Sequence, residues 1–365
     1  MSNLVLYRKY RPKRFDEVVG QEHVIQTISN AIENDMLSHS YLFTGPKGSG
    51  KTTIARLLAK RINCENPKGK EPCNKCPSCL EINSGRAIDL IEIDAASNRG
   101  IDDIRELKQG IRFAPTRLKY KVFIIDECHQ LSKDASNALL KVLEEPPSFS
   151  VFIFATTEPQ KVLSTINSRC QRFDFRKLRA SEMIKKLERI VKQENIKISE
   201  DALELIAMNA DGAMRNAEVL LDQVASFSPG VEETTKEEVQ ELLGIVDISL
   251  ISKLLAFVFE KKPDKAVEFL NEIVDKGQDV NELAKAIVGY LRQLLILKIS
   301  QDLENPIFRD FTEEIKKDLH AQAKKIEENQ IRKSLKLFLE AQNKTKYSSI
   351  PQLPLELAIL ETIGD

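Results

Sequence analysis

Tryptophan is absent from this 365-residue chain, and aromatic residues make up only 6% of it. A surface that stacks many unpaired bases on exposed rings is therefore not expected. No stretch approaches the roughly 18 uninterrupted apolar residues of a membrane span, and the opening MSNLVLYRKYRPKRF has no apolar core of an export signal. A soluble, cytoplasmic chain with no membrane partner is the expectation. Charge of either sign is not in excess: 54 basic residues face 55 acidic ones for a net charge of -1. Bulk attraction to nucleic acid is thereby removed as an argument, and any DNA contact must come from local arrangement. Six cysteines in a reducing compartment point to metal ligands or buried thiols rather than disulfides. What is present is 42% hydrophobic and 30% charged residues, over a length that exceeds one core and implies two or three domains.

Through about residue 175, short apolar runs alternate with helix-patterned stretches: SYLFTG at 40–45, DLIEID at 89–94, YKVFIID at 120–126 and SVFIFATT at 150–157. Runs apolar at consecutive positions suit strands of a parallel sheet covered on both faces, an α/β layered arrangement. From about 180 the spacing becomes helical, with Met183, Ile184, Leu187, Ile190 and Val191, then Leu203, Ile206, Val219 and Leu220. Pro229 and Gly230, followed by Thr234 and Thr235 as caps, mark a break. Beyond about 243, SLISKLLAFVF, AVEFLNEIV, VNELAKAIVGYLRQLLIL and IRKSLKLFLEAQ read as amphipathic helices of a bundle. The division expected is 1–178, 179–242 and 243–365.

The strongest chemical signal is Gly45-Pro46-Lys47-Gly48-Ser49-Gly50-Lys51-Thr52, a G-x-x-x-x-G-K-[ST] phosphate loop between an expected strand and an expected helix. Its glycines let backbone amides point at phosphate oxygens while the helix presents its positive N-terminus to the same anion. Lys51 is expected to reach the β- and γ-phosphates and Thr52 to bind Mg²⁺, with Thr53 adjoining. Asp126-Glu127 ends the strand VFIID. Asp126 suits Mg²⁺ binding and Glu127 the activation of an attacking water, a second carboxylate that a switch GTPase does not need. Joined to the loop, which binds ATP or GTP, the pair predicts nucleotide hydrolysis. Thr157, at the end of the fourth strand, is either a hydroxyl that touches the γ-phosphate or the nucleophilic water, or a strand-end cap. Arg169, in Ser168-Arg169-Cys170 before the β-type run CQRFDF, is better explained as an arginine delivered across a subunit boundary than as a surface charge.

Cys64, Cys73, Cys76 and Cys79 follow a C-x8-C-x2-C-x2-C spacing in a turn-rich segment with too few apolar residues for its own core. Four closing thiolates match a structural Zn²⁺ site with no open position for catalysis. Cys128 and Cys170 stand apart and are expected to be ordinary buried residues.

In order along the chain, YRKYRP at 7–12, VVGQ at 18–21, GPKGSGKT, the cysteine insert, DECH at 126–129, LLKVLEEPP at 139–147, ATTEPQKVLSTINSRC at 155–170 and GAMRNAEVLLDQ at 212–223 resemble the gamma/tau family of bacterial DNA polymerase III clamp-loader subunits, AAA+ ATPases. The resemblance spans essentially the whole chain. It implies an AAA+ α/β module with a zinc insert, a small helical lid and an all-α collar. It implies ATP as nucleotide, further copies of the chain with delta and delta-prime subunits as partners, and a sliding clamp loaded onto primed DNA. It makes Arg169 the finger completing a neighbour's site and Arg215 a lid sensor of the chain's own nucleotide, with Tyr7, Arg8, Arg11, Pro12, Val18 and Val19 around base and sugar. Two departures stand out: Asn216 occupies a place where an acidic residue is usual, and Cys128 replaces an aliphatic one. The intact phosphate loop favours gamma/tau over delta-prime. The chain stops near the end of the expected collar, as a short gamma-like or a truncated form does. The competing expectations are a zinc-stabilised scaffold that binds nucleotide without turnover, and a DNA-translocating ATPase with a closed ring and pore loops. Contact with DNA would run through phosphates, because a loader accepts any sequence at a primer junction.

Overall fold

A computed structural model of the chain describes residues 4–97, 110–111, 113–227, 233–300, 308 and 313–364. The chain divides into two compact units, Met1–Glu232 and Glu233–Asp365. In the first, five strands form one parallel sheet: β1 Ser40–Thr44, β2 Leu90–Asp94, β3 Lys121–Asp126, β4 Ser150–Thr156 and β5 Gln171–Asp174, in the order β2-β3-β4-β1-β5. Every apolar run read as a strand becomes one.

Alternation along these strands feeds two separate cores, as the period of two requires. Tyr41, Phe43, Val122, Ile124, Val151 and Ile153 pack on one face against the helices Glu22–Glu33 and Lys51–Ile62. Leu42, Phe123, Ile125, Phe152 and Phe154 pack on the other, with Ala135, Leu139 and Leu143 of the helix Lys133–Glu144. Because both faces are covered, the central strands are apolar at consecutive positions, and β4 is buried throughout. The parallel register brings the C-terminal ends of β1, β3 and β4 to one edge, where Thr44 pairs with Thr156 and Ile125 with Phe154. Active loops of open parallel sheets lie at this edge.

Three helices, Ala180–Glu194, Glu200–Met208 and Met214–Phe227, follow β5 in the same unit. Met183, Leu187, Ile190, Leu203 and Ile206 are buried as the helical spacing anticipates. In the last of the three, the buried apolar stripe is Ala217, Leu221 and Val224, whereas Val219 and Leu220 are only half-buried. The apolar pair marks the neighbouring face because alanine is too weak a signal to set the phase. The helices are tied to the sheet by the backbone bond from Leu178 N–H to the Gly212 carbonyl, 2.9 Å. They are also tied by Arg176, which donates from both ends of its guanidinium to the two oxygens of Glu182 at 2.6 and 2.8 Å.

The second unit is all helix among its described residues: Lys236–Leu243, Ile248–Phe259, Pro263–Asp275, Val280–Ser300, Glu313–Lys325, Glu328–Thr345 and Leu353–Ile363. Its entry is sharply capped, since Thr235 and Glu238 satisfy each other's backbone amides. Leu254, Leu270, Ile287, Leu291, Leu294, Phe338 and Ile359 form one core. Among the described residues no single helix is long and apolar enough to cross a membrane.

Glu182 also accepts from the Arg179 backbone N–H at 2.8 Å. The Arg176 guanidinium, with that amide, holds its carboxyl well below the usual range, at about 2 against an ordinary 4.5. A depressed carboxylate stabilises the fold above its unfolded value and loses that contribution as pH falls from about 4.5 toward 2. Glu182→Gln is expected to lower the urea midpoint near pH 7 and to flatten its decline between about pH 5 and 3; parallel pH profiles for the two proteins would contradict this.

Candidate nucleotide site

The loop after β1 is built on left-handed backbone. Gly45, Gly48 and Gly50 have φ of 145°, 77° and 103°, values that side chains with a Cβ rarely adopt. At Gly48 the constraint is also steric, because a Cβ there would lie 2.8 Å from Ala213 Cβ at the start of the helix Met214–Phe227. At Gly45 it would lie 2.4 Å from the Phe175 carbonyl oxygen. The loop is thus wedged between the end of β5 and the lid helices. Gln21, fully buried, holds it from behind: its side-chain amide donates to the carbonyls of Ser49 (3.3 Å) and Arg176 (2.8 Å).

Lys51 opens the helix Lys51–Ile62 and is 5% exposed. Its ammonium donates to the carbonyls of Gly45 (2.8 Å) and Pro46 (2.9 Å). Burial lowers its pKa, against the opposing pull of Glu127 and Asp126. Thr52 donates its hydroxyl to Asp126 Oδ2 at 2.7 Å, and Asp126 Oδ1 accepts from the Glu127 backbone at 3.0 Å. These are hard oxygen donors side by side, the chemistry that suits a Mg²⁺ shell. Glu127 itself sits at φ 48°, a left-handed turn that swings its carboxylate toward β4. There Oε2 accepts from the Thr157 hydroxyl (3.0 Å) and backbone (3.3 Å). His129, nearly buried, lies 3.5 Å from the same oxygen and 3.3 Å from Glu158 Oε1.

The cleft above the loop is lined by Lys47, Gly48, Ser49, Gly50, Lys51, Thr52 and Thr53, by Asp126 and Glu127, and by Tyr7, Arg11, Pro12, Val18 and Val19 of the N-terminal segment. Arg215 closes it from the lid, its guanidinium 4.6 Å from the centre of the Tyr7 ring. Gly45 and Pro46 lie behind the lining and serve Lys51 through their carbonyls. Arg8 is exposed and contacts Tyr7, donating to its hydroxyl at 3.2 Å. Thr157 is not part of the cleft lining and bonds instead to Glu127, which is. Arg169 is not at the cleft: it pairs with Glu144 at 2.6 Å and donates to the Thr165 carbonyl at 2.9 Å. Leu178, Lys186, Met214 and Glu218 also line the cleft, and sequence reasoning missed them. Lys186, Met214 and Glu218 belong to the lid helices and Leu178 to the link that leads into them, and only tertiary folding brings these to the loop. Gln21 carried a faint signal, as the last residue of VVGQ.

Directly after the loop helix, the Sγ atoms of Cys64, Cys73, Cys76 and Cys79 lie within 4.8 Å of one another, with Cys73 and Cys79 at 4.0 Å. A tetrahedral ion with bonds of about 2.3 Å to sulfur needs sulfurs roughly 3.8 Å apart. Backbone amides of Lys75 and Cys76 donate to Cys73 Sγ at 3.4 and 3.3 Å and lower that thiol to about 6. Lys60, 2% exposed and on the loop helix, donates to Asn74 Oδ1, Asn83 Oδ1 and the Lys13 carbonyl at 2.6, 2.8 and 2.7 Å. The cysteine insert is thereby fastened to both the loop helix and the N-terminal segment. Cys128 is buried in the sheet core, and burial raises its pKa.

Family models match in three consecutive stretches: "DNA polymerase III, delta subunit" over 20–179, "DNA polymerase III clamp loader subunit, ATPase lid domain" over 182–230, and "DNA polymerase III subunits gamma and tau domain III" over 234–364. The DNA polymerase III subunit gamma of Buchnera aphidicola subsp. Schizaphis graminum is 34% identical over 100% of this chain and 99% of its own length. The chain belongs to the gamma/tau family of DNA polymerase III subunits. The tau subunit of Bacillus subtilis is 41% identical over 99% of this chain and 63% of its own, and that of Escherichia coli 40% identical over 82% and 46%. The chain therefore spans less than two thirds of these two gamma/tau relatives. Among solved structures, Thermotoga maritima RuvB, a Holliday junction branch migration motor, aligns at a TM-score of 0.49 and 21% identity over 69% of this chain and 80% of its own.

The contact between Gly48 and Ala213 leaves no room for a side chain. Gly48→Ala is expected to lower stability of the first unit by about 1–3 kcal/mol through left-handed strain and displacement of the lid helix. Denaturant unfolding measures it, and an unchanged midpoint would contradict the close approach.

Proposed function

We propose that this chain is the ATP-hydrolysing motor subunit of a bacterial replicative clamp loader, which uses ATP to load a sliding clamp onto primed DNA. The observation that carries the reading is the meeting, in one cleft, of the phosphate loop, the Asp126–Glu127 end of β3 and Arg215 of the lid, in a chain of the gamma/tau family. Backbone amides of the loop and the Lys51 ammonium hold the triphosphate. Thr52 and Asp126 hold Mg²⁺, which neutralises charge developing on the phosphoryl oxygens. Glu127 orients and deprotonates the attacking water, and Thr157, bonded to it, positions that carboxylate. Arg215 reports from the lid whether the nucleotide is present. Arg169 serves the neighbouring subunit's site across an interface, leaving Glu144 to do so. Tyr7, Arg11, Pro12, Val18 and Val19 enclose base and sugar, with Arg8 behind Tyr7.

The working division is an α/β nucleotide module at 1–178, a lid at 179–242 and a collar at 243–365. Leu353, Leu357 and Leu360 are 39%, 49% and 47% exposed at helical spacing on the last helix, and support an assembly role with copies of the chain and with delta and delta-prime subunits. Cytoplasmic placement is part of the same reading, supported by relatives named as bacterial DNA polymerase III subunits. DNA is held through its phosphates, independent of sequence.

Lys51→Ala is expected to abolish ATP binding, whereas Glu127→Gln keeps affinity within about threefold and loses at least about 10²-fold in single-turnover hydrolysis. Equal loss of binding in both would refute the division of roles. For the cysteine insert we propose one structural Zn²⁺ per chain on Cys64, Cys73, Cys76 and Cys79. Elemental analysis should find one equivalent, and Cys79→Ser should lower the melting temperature before it lowers hydrolysis at permissive temperature. Metal-free protein of unchanged stability would refute this.

A further inference from the structure

The buried stripe of the helix Met214–Phe227 contains one charged residue. Glu218 is 4% exposed, beside Ala217, Leu221 and Val224 at 0%. A carboxylate at such a position is costly unless it has a counter-charge, and is better replaced by an apolar side chain if it has no other task. The counter-charge is Lys186 of the helix Ala180–Glu194. Its Nζ lies 2.7 Å from Glu218 Oε1, with the lysine side chain only 13% exposed. Oε1 is sealed from solvent and meets only this ammonium among the described residues. Among the described residues no donor is bonded to Oε2. Burial raises the carboxyl's pKa, opposed by Lys186 and then Arg11.

Both members of the pair line the nucleotide cleft. The helix meets the phosphate loop at its start, where Gly48 faces Ala213 and Arg215. Glu218 lies three residues beyond Arg215, about 4.5 Å further along the helix axis. The phosphates of a nucleotide offer only acceptors and negative charge, so a carboxylate gains nothing by facing them. The nucleoside half alone offers donors: the sugar hydroxyls and the N–H groups of the base. We infer that Glu218, charge-balanced by Lys186, accepts a hydrogen bond from a nucleoside O–H or N–H, which makes this lid pair a specificity-determining element of the cleft. The inference rests on the nucleotide reading of the cleft given above.

Calorimetric titration of the full chain with Mg-ATP, 2′-deoxy-ATP, 3′-deoxy-ATP, inosine triphosphate and inorganic tripolyphosphate tests it. Glu218→Gln is expected to weaken ATP about 10- to 100-fold, the range for a bond to a charged acceptor, while tripolyphosphate affinity stays unchanged. The unsubstituted chain should disfavour one of the three analogues by a similar factor, and the variant should lose that discrimination. The analogue affected identifies the donor as a sugar hydroxyl or the exocyclic amine. The double variant Glu218→Leu with Lys186→Met keeps the lid packed without a buried unpaired charge and should show the same selective loss. Unchanged ATP affinity in both variants, or equal loss of ATP and tripolyphosphate, overturns the inference and leaves the pair a packing element. Failure of the unsubstituted chain to bind ATP at all overturns the nucleotide reading itself, a result distinct from a silent substitution.

Discussion

The close approach of Gly48 to Ala213 is the constraint on which the rest of the first unit depends. With no side chain between them, the phosphate loop and the lid helix share one wall of a cleft that Arg215 also lines. A P-loop on a bare sheet edge binds phosphate. The same loop pressed against a separate helical layer couples phosphate contents to the orientation of that layer. This is the kind of differential contact by which a ligand biases one arrangement over another. The lid is tied to the sheet by Arg176 to Glu182 and Leu178 to Gly212 and to the N-terminal segment by Lys9 and Tyr10 to Glu194, while Gln21 holds the loop to Arg176 at the entry to the lid.

The cysteine insert acts on the same assembly from below. Cys64 follows the loop helix by two residues, and Lys60 of that helix is buried among oxygens of the insert and of Lys13. Glu71 in turn accepts the backbone amides of Phe15 and Asp16 at 2.9 and 3.1 Å. The N-terminal segment that carries Tyr7, Arg11, Val18 and Val19 to the cleft is therefore braced by the insert. A metal ordering the four thiolates there would brace that end of the cleft without touching it.

The sheet was legible because its strands are buried on both faces and so apolar without interruption. The loop and the Asp126–Glu127 pair were legible because their chemistry is local in sequence. Less could be read where tertiary contact decides. Periodicity pointed to Val219 and Leu220, while the buried stripe runs through Ala217, Glu218, Leu221 and Val224. Neither alanine nor glutamate announces an inward face, so both the phase of the helix and the buried charge within it were hidden. Leu178 and Lys186 were silent for the same reason: only the fold brings them to the loop. Thr157 stays open between a contact with phosphate or water and a cap, because its bonds to Glu127 arise only in the fold.

On this reading a nucleotide is held jointly by the phosphate loop and the lid. Hydrogen exchange of the full chain with and without a non-hydrolysable Mg-ATP analogue tests it most directly. Slowed exchange is expected in both residues 45–54 and the segment 212–221. Protection confined to the loop, with the lid helix unchanged, would contradict it.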